Sequence, residues 1–280
     1  MKRLVFGVQY DGSCWHGWQT QPGGETVQDA LEKALGLFAQ CEIVTTCAGR
    51  TDAGVHAIEQ VVHFDTVLDR SEHSWLNGVN AFLPSSIVVR WICEVAFFDP
   101  SSQDNFHARF SAHARTYHYL LYNNRIRSPM WSKRAGWVYR PLDVGQMLLG
   151  ARHLVGEHDF TAFRAAACQA KSPIKQMYKI EIKRQGDLIV FSLRANAFLH
   201  HMVRNIMGAL IAVGTGKKDP KWIEYLLQSR DRSLSAPTFM PDGLYLSRIE
   251  YDKKWQLPQN LCPNQPWFLS LFDDEQMVGL

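Results

Sequence analysis

Two glycines, Gly49 and Gly54, lie within the segment Gly49-Arg50-Thr51-Asp52-Ala53-Gly54-Val55-His56-Ala57, and an apolar run stands on either side, Ile43-Val44-Thr45-Thr46-Cys47 before it and Val61-Val62-His63-Phe64 after it. Apolar runs bounded by glycine read as strands, so the chain has to reverse tightly here. Glycine supplies the positive φ such a reversal needs and lets the backbone approach another group closely. A lone carboxylate, Asp52, therefore sits on a short turn with a rigid base. Most aspartates beside glycine hydrogen-bond their own turn, and spacing alone favours that use. The other use is a functional carboxylate carried by a loop on a fixed scaffold.

The remaining pattern alternates strand and helix. Leu4, Phe6, Val8 and Tyr10 alternate as a half-buried strand does, and Val27, Ala30, Leu31, Ala34, Leu35 and Phe38 then recur at helical spacing behind a Thr26 cap. Past the Asp52 turn the pattern predicts a short helix around Ser71–Asn80, a strand at Ile87–Val95 and a loop at Phe98–Asn105. The order resumes with a strand at Arg115–Tyr122, a helix at Leu142–Leu154, and strands near Tyr178–Lys183 and Leu188–Arg194. Helices at Phe198–Val213 and Pro220–Leu227 and a strand at Leu244–Tyr251 complete it. The two halves repeat one order of elements without repeating residues. That predicts two similar α+β units, residues 1–105 and 106–251, whose sheets join across a central cleft, followed by a tail over 252–280.

With 280 residues, 46% hydrophobic and 20% charged, the chain can bury a substantial core. Its longest apolar stretch, Phe198 to Val213, is interrupted by His200, His201, Arg204 and Asn205, which excludes a bilayer span there. The N-terminus runs straight into a strand-like segment without a secretory leader, so a cytoplasmic protein is expected. Cys14, Cys41, Cys47, Cys93, Cys168 and Cys262 form no C-x-x-C pair and no metal-ligand spacing, and are read as reduced thiols.

The net charge of +3 is small, but the charges are unevenly placed. No acidic residue lies between Asp104 and Asp143, an interval that carries Arg109, Arg115, Arg125, Arg127, Lys133, Arg134 and Arg140 among Tyr117, Tyr119, Tyr122, Trp131, Trp137 and Tyr139. Cations mixed with stacking aromatics suit an RNA-facing surface; cations scattered over a solvated surface are the other reading of the same composition. After Tyr251 the tail carries Asp273, Asp274 and Glu275 and no Lys or Arg beyond Lys254, so it is not expected to touch phosphate.

The segment Gly49–Ala57 resembles the signature of the TruA family of tRNA pseudouridine synthases. So do Val8-Gln9-Tyr10-Asp11-Gly12 with Gly17-Trp18-Gln19, Phe106-His107-Ala108-Arg109-Phe110-Ser111-Ala112 with Arg115-Thr116-Tyr117-His118-Tyr119, and Ala195-Asn196-Ala197-Phe198-Leu199-His200-His201-Met202-Val203-Arg204-Asn205-Ile206. Gly156-Glu157-His158-Asp159-Phe160 and Gly243-Leu244-Tyr245-Leu246 extend the likeness, in the family's order, over about residues 3–251.

The resemblance implies an α+β fold of two ferredoxin-like-derived units, a continuous antiparallel central sheet with helices on one side and an RNA-binding cleft. It implies conversion of uridine to pseudouridine at positions 38, 39 and 40 of the tRNA anticodon arm by a homodimer. It places the catalytic aspartate at Asp52 and the arginine that pairs with it at Arg204. Tyr117 becomes the residue that stacks on uracil, Arg50 the one that fills the space left by the flipped base, and Leu244 an apolar residue at the base pocket. A carboxylate attacking either the sugar or the uracil ring must be ionised, and a flipped base needs a pocket, a stacking partner and backbone cations. Arg109, Arg115, Arg125, Arg127 and Lys133 are the expected phosphate contacts.

Isomerisation leaves no redox or phosphate equivalent to carry, so no cofactor is implied. His56 and the pair His200-His201 lack a Cys or carboxylate cluster at ligand spacing, so no metal is expected. Two other classes fit parts of the sequence. A non-catalytic tRNA-binding module would lack the aspartate, arginine or tyrosine, and all three are present. A glycoside hydrolase would need carboxylates paired roughly 5–10 Å apart, whereas the Asp52 turn offers one, with Glu59 the next acid along the chain.

Overall fold

A computed structural model describes residues 1–95, 104–258 and 266–272. Most of the expected loop at Phe98–Asn105, the acids Asp273, Asp274 and Glu275, and Cys262 lie outside the described residues. The elements in chain order are β1 (Lys2–Tyr10), α1 (Val27–Ala39), β2 (Thr46–Cys47), β3 (His56–Thr66), α2 (Glu72–Phe82), β4 (Ile87–Glu94), β5 (Ala112–Asn123) and β6 (Gly136–Val138). They continue with α3 (Val144–Arg152), β7 (Gly156–Asp159), β8 (Ile174–Gln185), β9 (Leu188–Ala195), α4 (Met202–Gly214), α5 (Lys221–Ser229), β10 (Leu244–Tyr251) and α6 (Trp267–Ser270). The fold is α+β. The chain divides into two compact units, Met1–His113 with Tyr245–Gln265 and Ala114–Leu244 with Pro266–Leu280.

In the first unit the strands run in the order β4-β1-β3-β10, with β2 also on β3. All these pairings are antiparallel except β3 with β10, where Tyr245 and Leu246 run parallel to His56 and Ala57. Strand β1 has a neighbour on each side and is covered on both faces, Val5 as fully as Leu4, Phe6 and Val8, so the half-buried alternation expected of it gives way to a two-sided core. Thr26 caps α1 as its sequence suggests, its hydroxyl accepting from the Asp29 N–H at 3.2 Å. Trp75 of α2 reaches Phe64 of β3 with ring centres 5.4 Å apart, and Phe38 of α1 meets the same indole at 5.0 Å. The apolar run from Ile43 gives only the two-residue β2, because the Thr45 N–H and hydroxyl are taken by Glu32 of α1 at 2.7 and 2.8 Å rather than by a neighbouring strand.

In the second unit the order is β5-β9-β8-β7, antiparallel throughout, with the short β6 added in parallel on β5. Neither β6 nor β7 shows in the sequence pattern: one is three residues long, and the other reads Gly-Glu-His-Asp. Helix α4 begins at Met202 rather than Phe198, because His201 adopts φ 60° and breaks the helical path. From Met202 onward it is buried along most of its length, and Gly150 of α3 lies close enough to Ile223 and Leu210 to leave little space for a side chain. Segment 266–272 docks on this unit through Phe268 and Phe272, whose rings lie 6.4 and 5.5 Å from His118 of β5. Burial lowers the His118 pKa to about 4, so its ring is neutral there.

Candidate active site

The peptide groups of the Asp52 turn are held on both sides of the aspartate. Before it, the side-chain amide of fully buried Gln60 pairs with Gly49, accepting from its N–H at 3.3 Å and donating to its carbonyl. Immediately before Asp52, the Thr51 carbonyl accepts from the Trp18 N–H at 3.0 Å. After it, the Val55 N–H returns to the Asp52 carbonyl at 3.1 Å and the Gly54 N–H reaches Trp15 at 3.3 Å. The segment 11–18 that makes these contacts can lie so close because it is glycine-rich. A Cβ on Gly12 would stand 2.0 Å from the Val55 carbonyl oxygen, and one on Gly17, at φ +92°, would stand 2.7 Å from that of Thr51. Thr51 and Val55 are buried, Asp52 is half-buried, and Arg50 and Ala53 are exposed. The turn thus projects a carboxylate from a fixed backbone to the border of solvent.

Two cations stand by this turn. Cys47, at its base, is pushed up to about 12 by burial, and Arg50 and Arg109 are both near enough to pull against that rise. His56, which invited a metal reading, is a buried structural ring. Its Nδ1 accepts from the Gly12 N–H at 3.1 Å, and the ring stacks on Tyr245 with centres 4.6 Å apart.

The other expected site residues lie in the second unit. On β5, Arg115, Tyr117 and Tyr119 alternate along one face. Tyr119 is wholly buried, its hydroxyl donating to the Met240 carbonyl at 3.0 Å, which makes it a core residue. Tyr117 keeps 9% exposure and meets the edge of Phe198, a neighbour no periodicity announced, at 5.0 Å and 80°. Arg115 is also at 9% and donates to the Asn196 carbonyl at 2.9 Å. Leu244 is buried at the start of β10.

Arg204 lies in the first turn of α4. Its Nε donates to the Phe239 carbonyl at 2.9 Å, while the Phe239 N–H returns to the Arg204 carbonyl at 3.1 Å. The chain at 236–240 can lie along the helix because Gly208, one turn on, has no side chain: a Cβ there would stand 2.3 Å from the Pro237 carbonyl oxygen. Fully buried Asn205 fixes the same segment from beside Arg204. Its amide donates to Phe163 at 2.7 Å, and its oxygen accepts from Thr238 at 2.6 Å and Arg232 at 3.0 Å. The only local sign of Gln60 and Asn205 in the sequence is an amide next to a charged residue at the edge of an apolar run, Glu59-Gln60 before Val61 and Arg204-Asn205 before Ile206.

Of the expected phosphate contacts, Arg109 in the first unit and Arg125, Arg127 and Lys133 in the second are exposed, which sets Arg115 apart from them. No helix among the described residues is long and apolar enough to cross a membrane.

The comparisons with known proteins give the class, an enzyme that isomerises uridine in tRNA. The family model described as tRNA pseudouridine synthase matches residues 7–111 and 151–252. A tRNA pseudouridine synthase A from Janthinobacterium sp. (strain Marseille) is 62% identical over 266 residues, covering 95% of this chain and 98% of that one. Its counterpart in Herminiimonas arsenicoxydans is 62% identical over 266 residues, covering 95% and 96%. A third, from Burkholderia thailandensis, is 56% identical over 265 residues with the same coverage. The chain belongs to the TruA family of tRNA pseudouridine synthases, which are isomerases.

Proposed function

We propose that this chain converts uridine to pseudouridine at positions 38, 39 and 40 of the tRNA anticodon arm, with Asp52 as the nucleophile. The N1–C1′ bond breaks, the freed uracil turns, and C5 joins C1′; C5 then gives up its proton and N1 takes one up, so the atoms of the substrate are conserved and no cofactor is consumed. The observation that carries this reading is the Asp52 turn, a single half-buried carboxylate whose flanking peptides are both hydrogen-bonded in place. Such a fixed group is what attack on a flipped nucleotide requires.

The other roles follow in the same reading. Tyr117 stacks on the uracil and Leu244 packs at its pocket. Exposed Arg50 fills the gap that the flipped base leaves in the RNA. Arg204 supplies the cation for the carboxylate. A cation in the first turn of a helix faces the positive end of the helix dipole, an arrangement that costs about 0.3–1 kcal/mol unless an anion answers it, so its place in α4 favours an anionic partner. Arg109, Arg125, Arg127 and Lys133 contact phosphate. The active species is a homodimer in the cytoplasm, one tRNA touching both copies.

The test is turnover on tRNA transcripts carrying uridine at 38, 39 or 40. Asp52→Asn keeps size and polarity but removes the charge, and is expected to abolish product while leaving tRNA affinity near that of the unmodified protein. Substantial product from this variant removes Asp52 from the role. Modified uridines outside the anticodon arm would overturn the assigned positions.

A further inference from the structure

We infer that Tyr10 is a positioning residue for Asp52, acting through the hydroxyl of Thr51; the inference rests on Asp52 being the nucleophile. Tyr10 is the last residue of β1 and only 3% exposed. The register between β1 and β3 shifts between Val8 and Tyr10, so that Tyr10 comes opposite Ala57. Irregularities of this kind at the end of a strand re-aim a side chain. Here the phenol is aimed at the catalytic turn. Its oxygen lies 2.7 Å from Thr51 Oγ1, in a buried hydroxyl pair, and its ring packs against Trp18 with centres 5.9 Å apart.

Thr51 is thereby held at two points. Tyr10 holds its side chain, and the Trp18 N–H holds its carbonyl at 3.0 Å. That carbonyl belongs to the peptide whose nitrogen is Asp52, and the Asp52 carbonyl is bonded in turn to Val55. Both peptides beside the Asp52 Cα are therefore tied down, and the first of them is oriented from the side-chain direction by Tyr10.

Packing alone does not require the two hydroxyls. Phenylalanine and valine fill nearly the same volumes, and replacing both partners of a buried hydrogen bond by apolar groups of the same shape can be nearly neutral for folding. What the hydroxyl pair adds is direction: it fixes the roll of Thr51 and so the line along which the next side chain projects. A misplacement of about 1 Å in a reacting group can lower a rate about 100-fold. The consequence belongs to the chemical step and not to tRNA binding, since a hydroxyl pair this deeply buried makes no contact with RNA.

The experiment is single-turnover kinetics with a tRNA transcript, alongside KM and thermal midpoint, for Tyr10→Phe, Thr51→Val, the double variant and Thr51→Ser, with Asp52→Asn in parallel. Tyr10→Phe and Thr51→Val are each expected to lower kcat roughly tenfold or more with KM unmoved; each leaves one buried hydroxyl unpaired and so lowers the midpoint, which the double variant restores while the rate stays low. The double variant should be no slower than the slower single one, because both remove one shared interaction. Thr51→Ser should recover most of the rate lost in Thr51→Val. A wild-type kcat for Tyr10→Phe, a loss confined to KM or to the thermal midpoint, or losses that multiply in the double variant would each overturn the inference. Product from Asp52→Asn would bring down the nucleophile assignment instead; an inactive Asp52→Asn beside a fully active Tyr10→Phe would sink the positioning role alone.

Discussion

The Asp52 turn and the first turn of α4 are fixed by opposite means. Around Asp52 most of the bonds fall on the turn's own peptide groups, and the partner segment 11–18 gets close because Gly12 and Gly17 have no side chains. Around Arg204 the work is shared by side chains: its own Nε on Phe239, and Asn205 tying together Phe163, Thr238 and Arg232. A clamp on peptide groups sets a position rigidly, and side chains matter to it only where they make one of its bonds, as Gln60 and Tyr10 do. A side-chain network sets a direction, and it loses that direction when one member changes. In the reading proposed above, the nucleophile has the first kind of support and its cation the second.

The largest effect expected from this contrast, beyond loss of Asp52 itself, is at Arg204. Arg204→Ala removes the charge and the bond to Phe239, whereas Arg204→Lys restores charge without the guanidinium fork. Removing an electrostatic stabiliser from an active site typically costs about 10²–10³-fold in kcat, and the alanine variant should fall in that range in single-turnover rate with tRNA affinity little changed. Lysine should recover part of it. Equal losses in both variants would show that the fork geometry matters and the charge by itself does not; no loss in either would break the assignment.

Sequence and structure part company along the same line. Thr26 before α1 and Leu244–Tyr251 as β10 were legible because caps and period-two runs are local. The Asp52 turn was legible through Gly54, which takes φ 79°, whereas Gly12 and Gly17 gave no local sign that their segment closes on it. What holds Arg204 was not, since Phe239 lies 35 residues away and no pattern links a helix arginine to a distant carbonyl. Gly208 shows only that some segment comes close, not which one. The two-sided burial of β1 was hidden for a related reason: the alternation shows one apolar face, and what covers the other face is set by segments distant in sequence.

Tyr117 and Tyr119 sharpen the contrast at smaller cost. They are two residues apart on one face of β5, and periodicity cannot separate them. Tyr119→Phe deletes a buried hydrogen bond to Met240 and should destabilise the protein by about 1–3 kcal/mol, since the Met240 carbonyl is left without that donor. Urea unfolding measures it, and the turnover rate of the remaining folded enzyme should be close to normal. Tyr117→Phe keeps the ring and should retain tRNA binding, while Tyr117→Ala should lose both binding and turnover. If Tyr117→Ala left turnover intact, the stacking role would have to move elsewhere.

The smallest effects concern the cations, and there the comparison is between exposed and buried arginine. Arg109, Arg125, Arg127 and Lys133 are exposed, whereas Arg115 is 9% exposed and donates to Asn196 inside the second unit. Each phosphate contact adds roughly 0.7–0.9 to the slope of log affinity against log salt concentration. Alanine at one of the exposed four should therefore flatten the slope by about that amount and weaken different tRNAs alike, because phosphate contacts carry no sequence information. Arg115→Ala should leave the slope unchanged and lower stability instead, since it removes a part-buried hydrogen bond between β5 and the end of β9. Titrations of tRNA binding at several salt concentrations decide the matter. A slope altered by Arg115→Ala and by none of the other four would invert the assignment, and losses that depend strongly on which tRNA is used would mean that these side chains read bases.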